Sequence, residues 1–245
     1  MDTVRACRTL RVDTRPRQQI LTLIAIALTF ASGAMDVASF TRLGEVFTSV
    51  MTGNIVLGGL AVAQRSLSLA SHTAVSITGY IAGVAGGTWV VHGFRAAGDK
   101  PGDDEGRASV LPAHVSWALS AELILLAGLT VGWEITGARP AGWAQYCLLA
   151  VAAAAMGVQA SAVNEMGLTN VSTTFLTGTL TALVSSLVSP GQDTPHGPRR
   201  FGVLIGLAAG AGLCGLLVAT APDVVPALPL AALITTLVLA SAPLR

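Results

Sequence analysis

The sequence predicts an all-α protein, a polytopic bundle of transmembrane helices built from two internal repeats. Of its 245 residues, 52% are hydrophobic and only 11% are charged, and the mean hydropathy is +0.68. Soluble domains carry about 25% charged residues, so this chain has too few charges to cover a surface that faces water. Apolar segments long enough to cross a bilayer also follow one another along the whole chain. The chain is therefore predicted to be an integral membrane protein, with the lipid bilayer as its main partner.

Eight segments fit the length of about 20 apolar residues that a membrane-spanning helix needs. The second and sixth are the shortest and the most polar, so an alternative with six spans and two re-entrant segments stays open. Two polar linkers, 95–107 and 189–200, cannot lie in hydrocarbon. The eight segments are approximately 19–40, 47–64, 71–94, 113–135, 142–163, 171–189, 201–221 and 224–242.

The basic residues predict the orientation of the chain. With eight spans and the N-terminus inside, ten of the 14 Lys and Arg residues fall in the inside segments. Cytoplasmic loops carry an excess of these residues, so both termini are expected in the cytoplasm. The linker 95–107 is an exception, because this topology places its three basic residues outside.

The two halves of the chain resemble each other at three places in the same order. "SGAMD" resembles "MGVQ", "VFTSVMTGNIV" resembles "VSTTFLTGTLT", and "GYIAGVAGG" resembles "GLAAGAGLCG". Glycines spaced four apart let helix backbones approach closely, so the last pair of segments is interpreted as packing faces. The equated residues are Asp36 with Gln159, Thr52 with Thr177, Gly53 with Gly178, Gly79 with Gly206, and Gly83 with Gly210.

The repeat divides the chain into four parts. Residues 1–18 are a basic cytoplasmic segment, 19–110 the first transmembrane repeat, 111–137 the connecting span of the first half, and 138–245 the second repeat. Four spans per half would make the repeats parallel, and three would make them inverted. The count of eight favours parallel repeats.

Polar residues of the first two spans are predicted to lie at one depth. If these spans form a hairpin centred near Gly44, then Asp36 and the Thr52–Gly53–Asn54 cluster are equally far from the turn. An ionised carboxylate inside a helix bundle costs about 2.5–3.5 kcal/mol on insertion scales. Asp36 is therefore expected to be protonated, to bind a cation, or to accept hydrogen bonds from nearby threonine and asparagine groups.

The Thr-Gly pairs have two interpretations. A helix broken at such a pair would free backbone groups for an ion or substrate, whereas a tight helix crossing would use the same residues for packing. Glu122, in the middle of the fourth span, is interpreted either as a proton relay or as a structural hydrogen-bonding group. The candidate substrate- or ion-binding residues are Asp36, Thr52, Gly53, Asn54, Glu122, Gln159, Thr177, Gly178 and Thr179.

Other classes of function find no support in the sequence. The cysteines and histidines are isolated, which predicts no metal site, and no hydrolase signature occurs. The protein is therefore expected not to be an enzyme and to need no cofactor. A net charge of +1 without a basic stripe argues against nucleic acid as a partner. A homodimer is expected because the bundle is small.

The segments "SGAMDVASFTRLGEVFTSVMTGNIVLGGL" and "AMGVQASAVNEMGLTNVSTTFLTGTLTALV" resemble the paired signatures of the YoaK family, bacterial membrane proteins classed under domain of unknown function 1275. The resemblance covers nearly the whole chain after the basic N-terminus and implies a multi-pass protein of the bacterial inner (plasma) membrane. It differs at Ala160, where the family often has asparagine. The resemblance implies no substrate.

The sequence thus favours a small secondary transporter, coupled to protons or cations through Asp36, whose partner is a small molecule or ion of unknown identity. A membrane scaffold or partner-binding protein is the alternative, and in that case the polar motifs would only hold helices together. An intramembrane enzyme would need a nucleophile with a base, or a metal cluster, and neither pattern is present.

Overall fold

The computed structural model describes residues 15–98, 110–166, 176–188 and 197–241. Residues 1–14, most of the linker 95–107 and most of the linker 189–200 lie outside this part of the chain. The described residues form eight α-helices and one 3-10 turn, Pro222–Val224, with no β-strand among them, so the predicted all-α class is confirmed. The helices are α1 (Arg15–Arg42), α2 (Met51–Gln64), α3 (Leu67–Gly98), α4 (Ala113–Ile135), α5 (Trp143–Glu165), α6 (Leu176–Val188), α7 (Gly197–Thr220) and α8 (Ala227–Ser241).

Six of these helices are long and apolar enough to cross a membrane, when α8 is counted with the 3-10 turn before it. Helix α2 has only 14 residues, which is about 21 Å at 1.5 Å per residue. The hydrocarbon core is about 30 Å thick, so α2 cannot cross it. Helix α6 has 13 described residues. The two short helices are the segments that the sequence marks as shortest and most polar, and their lengths favour six spans over eight.

Helices α1 and α7 run parallel to each other. Gly206 faces Ile26 and Gly210 faces Phe30, and further along both helices a guanidinium nitrogen of Arg42 donates to the Val218 carbonyl at 3.0 Å. Helices α3 and α5 are also parallel to each other, as the contacts of their glycines show.

The remaining spans have their directions fixed by contacts near the end of α1, called here the Arg42 end of the bundle. The Gln145 amide, at the beginning of α5, donates to the Arg42 carbonyl at 2.9 Å, so α5 is antiparallel to α1. The indole of Trp133, at the end of α4, donates to the Pro222 carbonyl at 3.0 Å, just before α8. A cavity of about 10 Å³ joins these segments to Met35 of α1. Helices α1, α4 and α7 therefore run toward the Arg42 end, and α3, α5 and α8 run away from it.

These directions make the two repeats inverted, not parallel as the count of eight spans favoured. If α1, α3 and α4 are exchanged with α5, α7 and α8, respectively, the direction of every helix is reversed and the main helix contacts are preserved. Helix α3 packs on α5 as α7 packs on α1, and α4 packs on α5 as α8 packs on α1. The parallel expectation failed because it counted the two short helices as full spans.

The glycines predicted to pack helices lie at these two main contacts. A Cβ atom at Gly83 would collide with the backbone of Ala154 in α5, and one at Gly210 would collide with the backbone of Phe30 in α1. Glycine is required at both positions because the helix axes approach too closely for a side chain. These contacts confirm the assignment of the glycine pairs to packing.

The glycine contacts also show which residues of α1 and α5 are equivalent in the two repeats. Gly33 meets the α7 backbone and Gly157 meets the α3 backbone, so these two glycines are equivalent in the repeat. Counting three residues onward from each places Asp36 on Ala160. Gln159, which the sequence comparison equated with Asp36, is the equivalent of Met35, one residue earlier.

Candidate functional site

The candidate site is a re-entrant loop followed by α2. Helix α1 ends and α3 begins at the same end of the bundle, since the Gln145 side chain bonds both to the Arg42 carbonyl and to the imidazole of His72. The chain between them therefore enters the bundle and returns to the end from which it came. It enters as a non-helical segment, 43–50, and returns as α2.

Asp36 on α1 binds this segment where it reaches deepest. One carboxylate oxygen accepts hydrogen bonds from the backbone amides of Thr48 and Ser49, both at 2.8 Å, and from the Thr48 hydroxyl at 3.2 Å. The other accepts from the Ser49 hydroxyl at 2.5 Å. Asp36 lies six residues before Arg42, which is about 9 Å below that end of the helix. Of the three expectations for this carboxylate, the geometry shows the third, hydrogen bonding, with Thr48 and Ser49 as donors.

Asn54 binds the same loop from the other side. Its side-chain oxygen accepts from the Phe47 amide at 2.9 Å, and its side-chain nitrogen donates to the Phe47 carbonyl at 2.7 Å and to the Ser76 hydroxyl at 3.0 Å. The Ser76 hydroxyl also donates to the Phe47 carbonyl at 2.5 Å. The Ser39 hydroxyl donates to the Val46 carbonyl at 2.9 Å. Non-helical backbone is tolerated at membrane depth only where protein or a water-filled cavity satisfies it, and these side chains do so.

The depth predicted for Asp36 and Asn54 is therefore correct, because both bind the loop 46–49. The position of the helix break is different from the expectation. Thr52 and Gly53 lie inside α2, and the non-helical segment comes before them. Thr52 is exposed. A Cβ atom at Gly53 would lie 3.2 Å from the Phe47 ring, so this glycine makes room for Phe47.

The second repeat places its Thr-Gly pair at the equivalent point of a helix. Thr177 and Gly178 are the second and third residues of α6, as Thr52 and Gly53 are of α2. Both Thr177 and Gly178 are exposed, whereas Thr179 is buried, as is its equivalent Asn54. The residues equivalent to the re-entrant loop, 167–175, lie outside the described part of the chain.

Four residues of the site were missed in the sequence: Ser39, Thr48, Ser49 and Ser76. Each is a small hydroxyl residue in an apolar segment, and such residues usually bond to their own helix. Ser76 lies 22 residues after Asn54, on a third helix, so no local spacing connects them. The signal for Thr48 and Ser49 was the equal-depth argument itself, since both lie between Gly44 and Thr52.

Gln159 and Glu122 lie elsewhere, in the centre of the bundle. The Gln159 side-chain nitrogen donates to the Ser32 hydroxyl at 2.8 Å and to the Leu28 carbonyl at 3.2 Å, both on α1. Glu122 is completely buried in α4. None of the described residues donates a hydrogen bond to either carboxylate oxygen of Glu122 or to the side-chain oxygen of Gln159. The structure therefore separates the predicted site into two clusters, with Asp36 and Asn54 in one and Glu122 and Gln159 in the other.

A polar cavity of about 370 Å³ lies above the re-entrant loop at the Arg42 end. Gly44 and Glu45, where the chain turns inward, are both in left-handed conformations, with φ of 103° and 60°. The His72 ring lies against Gly44, where a Cβ atom would collide with it. The cavity is also lined by Arg42 and Gln145, so it offers charged and amide groups to a polar solute.

The fold and the site define a class: a multi-pass helical membrane protein of inverted repeats, with a re-entrant segment held inside the bundle. The chain belongs to the family described as "Protein of unknown function (DUF1275)", whose profile matches residues 24–241. It is similar to "UPF0700 transmembrane protein YoaK" of Bacillus subtilis (strain 168), with 29% identity over 171 residues that cover 70% of this chain and 67% of that protein. No solved structure matches the chain significantly. These comparisons confirm the resemblance to the YoaK family.

Proposed function

We propose that the protein is a small secondary transporter of the bacterial inner membrane that couples the movement of a solute to a proton or cation. The observation that carries this proposal is a non-helical segment held deep inside an inverted repeat. In inverted-repeat transporters, discontinuous helices near the repeat interface form the binding site, and one part of the bundle rocks against the other. The segment 43–50 and α2 form a discontinuous element of this kind.

The helix contacts support movement of this type. At the α1–α7 and α3–α5 contacts, glycines lie against the backbone of the partner helix, which makes the helix surfaces smooth at these points. Smooth surfaces of this kind let helices slide without forcing side chains past one another. The cavity at the Arg42 end then provides the entrance on one side of the membrane.

The six-span topology also supports a cytoplasmic location of both termini. It assigns eleven of the 14 Lys and Arg residues to the inside, compared with ten for eight spans. The linker 95–107, which was the exception, moves to the inside together with its three basic residues. This distribution agrees with the excess of Lys and Arg in cytoplasmic loops. In the proposed orientation, the cavity of the Arg42 end opens to the outside.

A scaffold or partner-binding protein is the second candidate, and one observation favours it. Asp36, the acid expected to bind the coupling ion, already accepts four hydrogen bonds from the loop. If all the polar motifs had this role, they would only lock the helices together.

A transport screen separates the two candidates. The full chain would be reconstituted in proteoliposomes on a solid-supported membrane, and currents would be recorded for sugars, amino acids, organic acids, Na⁺, Li⁺ and K⁺ at several pH gradients. We expect a saturable current with at least one solute. The current should be lost in Asp36→Asn, which loosens the loop, and kept in the matched control Asp223→Asn, whose side chain is exposed. If no solute gives a current and none raises the melting temperature, the scaffold candidate is correct.

A further inference from the structure

Glu122 and Gln159 lie close to the middle of the bundle. Glu122 is within two residues of the midpoint of α4, which spans Ala113–Ile135. Gln159 bonds to Leu28 and Ser32, which lie near the midpoint of α1. Both side chains are at least 99% buried. An ionisable side chain at this depth usually marks an ion or proton pathway.

The register of α4 and α5 brings the two residues to the same depth. Gly132 of α4 lies against Leu148 of α5. The helices are antiparallel, so ten residues along each from this contact lead to Glu122 and to Val158, the residue next to Gln159. Glu122 and Val158 therefore both lie about 15 Å from the contact and at the same depth.

Glu122 faces the axis where α1, α4 and α8 meet. Met35, Leu129 and Pro229, one from each helix, line the same small cavity. Seven residues make two turns and return to the same face of a helix. Moving seven residues away from the Arg42 end along each helix leads from Met35 to Leu28, from Leu129 to Glu122 and from Pro229 to Thr236. All three of these residues are buried.

The described residues leave three buried oxygens at this place without a hydrogen-bond donor. The Gln159 amide nitrogen is already engaged with α1, which fixes the amide orientation and leaves its oxygen as an acceptor. The nearby hydroxyls of Thr29, Ser32 and Thr236 donate to carbonyls of their own helices. The two oxygens of Glu122 and the Gln159 oxygen thus have no donor among the described residues. A proton on Glu122 would supply the missing donor, because a protonated carboxyl group can donate a hydrogen bond whereas a carboxylate only accepts.

We propose that the carboxyl group of Glu122 binds and releases the coupled proton, and that its protonated form donates a hydrogen bond to the side-chain oxygen of Gln159. This inference rests on the proposed transport function and names the coupling ion. Asp36, which the sequence favoured for this role, holds the re-entrant loop instead. The proton adds to the carboxylate to form a carboxylic acid and leaves by the reverse step, so no other reactant is needed.

Few other titratable groups face this site. Helix α8 contains none, and Asp36, the nearest on α1, lies about two turns nearer to the Arg42 end and is bonded to the loop. On α5, Tyr146 and Cys147 lie near the beginning of the helix and Glu165 at its end. On α3, Tyr80 and His92 flank Gly87, which contacts Val158. Helix α4 has His114 and Glu134 near its ends.

Infrared spectroscopy tests the proposal without a known substrate. The full chain in lipid nanodiscs would be titrated with acid and base, and the carbonyl band of protonated carboxylic acids would be followed. We expect one component of the acid-minus-base difference band to be missing in Glu122→Gln and to persist in Asp36→Asn and in the control Glu134→Gln. In Gln159→Leu, the midpoint should move to lower pH, because the protonated form loses its acceptor.

Three results would overturn the proposal. The first is an acid-minus-base difference band that is the same in Glu122→Gln as in the unsubstituted chain, and the second is a Glu122 band that neither titrates nor exchanges in D₂O. The third is a Glu122 band that NaCl removes at constant pH, which would assign the site to a metal cation.

The infrared experiment and the transport screen test the two proposals independently of each other. A titrating Glu122 without any transported solute would defeat the transporter proposal and leave the proton site intact. A transported solute whose proton coupling survives in Glu122→Gln would leave the transporter proposal intact and overturn the proton site.

Discussion

The carboxylate of Asp36 and the backbone amide of Thr48 are 2.8 Å apart, although a chain reversal separates them in sequence. This hydrogen bond holds a non-helical segment inside the helical bundle. Since lipid offers no partner to a free amide, the bond explains why an acidic side chain is placed within a membrane span.

Replacement of Asp36 by asparagine should destabilise the protein. An asparagine side chain has one oxygen, and its amide group would face donors from Thr48 or Ser49. A buried donor left unsatisfied costs about 1–3 kcal/mol. Thermal unfolding of purified Asp36→Asn, compared with Asp223→Asn, measures this loss. Equal melting temperatures for the two variants would show that the loop does not depend on Asp36.

Asn54 and Ser76 should be energetically coupled. Their side chains are 3.0 Å apart and both bond to the Phe47 carbonyl. Residues that share a buried network couple by about 0.5–3 kcal/mol. A double-mutant cycle with Asn54→Ala and Ser76→Ala measures this energy. In the control cycle, Thr78→Ala takes the place of Ser76→Ala. The Thr78 hydroxyl bonds to its own helix, so Thr78→Ala and Asn54→Ala should be additive. Additivity in both cycles would contradict the network.

Two glycines of α3 should respond to alanine with opposite signs. A Cβ atom at Gly83 would collide with the Ala154 backbone, whereas one at Gly86 would meet nothing within 4 Å. We expect Gly83→Ala to cost about 1–3 kcal/mol through overpacking. Gly86→Ala should stabilise the helix by about 0.5–1 kcal/mol, because alanine loses less backbone entropy. Unfolding of both variants in the same detergent measures the difference, and a similar effect at both positions would contradict the α3–α5 contact.

Single cysteines should label on the sides that six spans require. In a variant with Cys7, Cys147 and Cys214 replaced, cysteines at Arg42 and Arg65 should react with an impermeant thiol reagent from the same side. The eight-span topology places these two positions on opposite sides, so the pair decides between the topologies. A cysteine at Lys100 should react from the side opposite to Arg42. Labelling of Arg42 and Arg65 from different sides would exclude a re-entrant α2.

The sequence is informative about this fold where the signal is local. Apolar length locates the spans, and spacing identifies Gly83 and Gly210 as packing residues, since both depend on a single helix. The depth of Asp36 also follows from counting along one hairpin. The partner Ser76 could not be predicted, because its position depends on how α3 packs against the loop.

The inverted symmetry and the second cluster were beyond the sequence for a related reason. Whether α2 and α6 cross the membrane decides the directions of α3, α4 and α5, and the 14 residues of α2 could not be distinguished from a short span by composition. Equating Gln159 with Asp36 was an error of one residue, which only the contacts of Gly33 and Gly157 reveal. The shared depth of Glu122 and Gln159 depends on helix register, which hydropathy does not encode.

The exchange of partners between the halves has a consequence for the assembly of the protein. Because α3 packs on α5 and α7 packs on α1, the largest helix contacts of each half are made with the other half. A half expressed alone would leave its glycine faces without the backbone they were shaped to meet. Two copies of one half, inserted in opposite orientations, would form the same pairs of contacts between separate chains. Each half therefore completes its helix packing only beside a half of the opposite orientation.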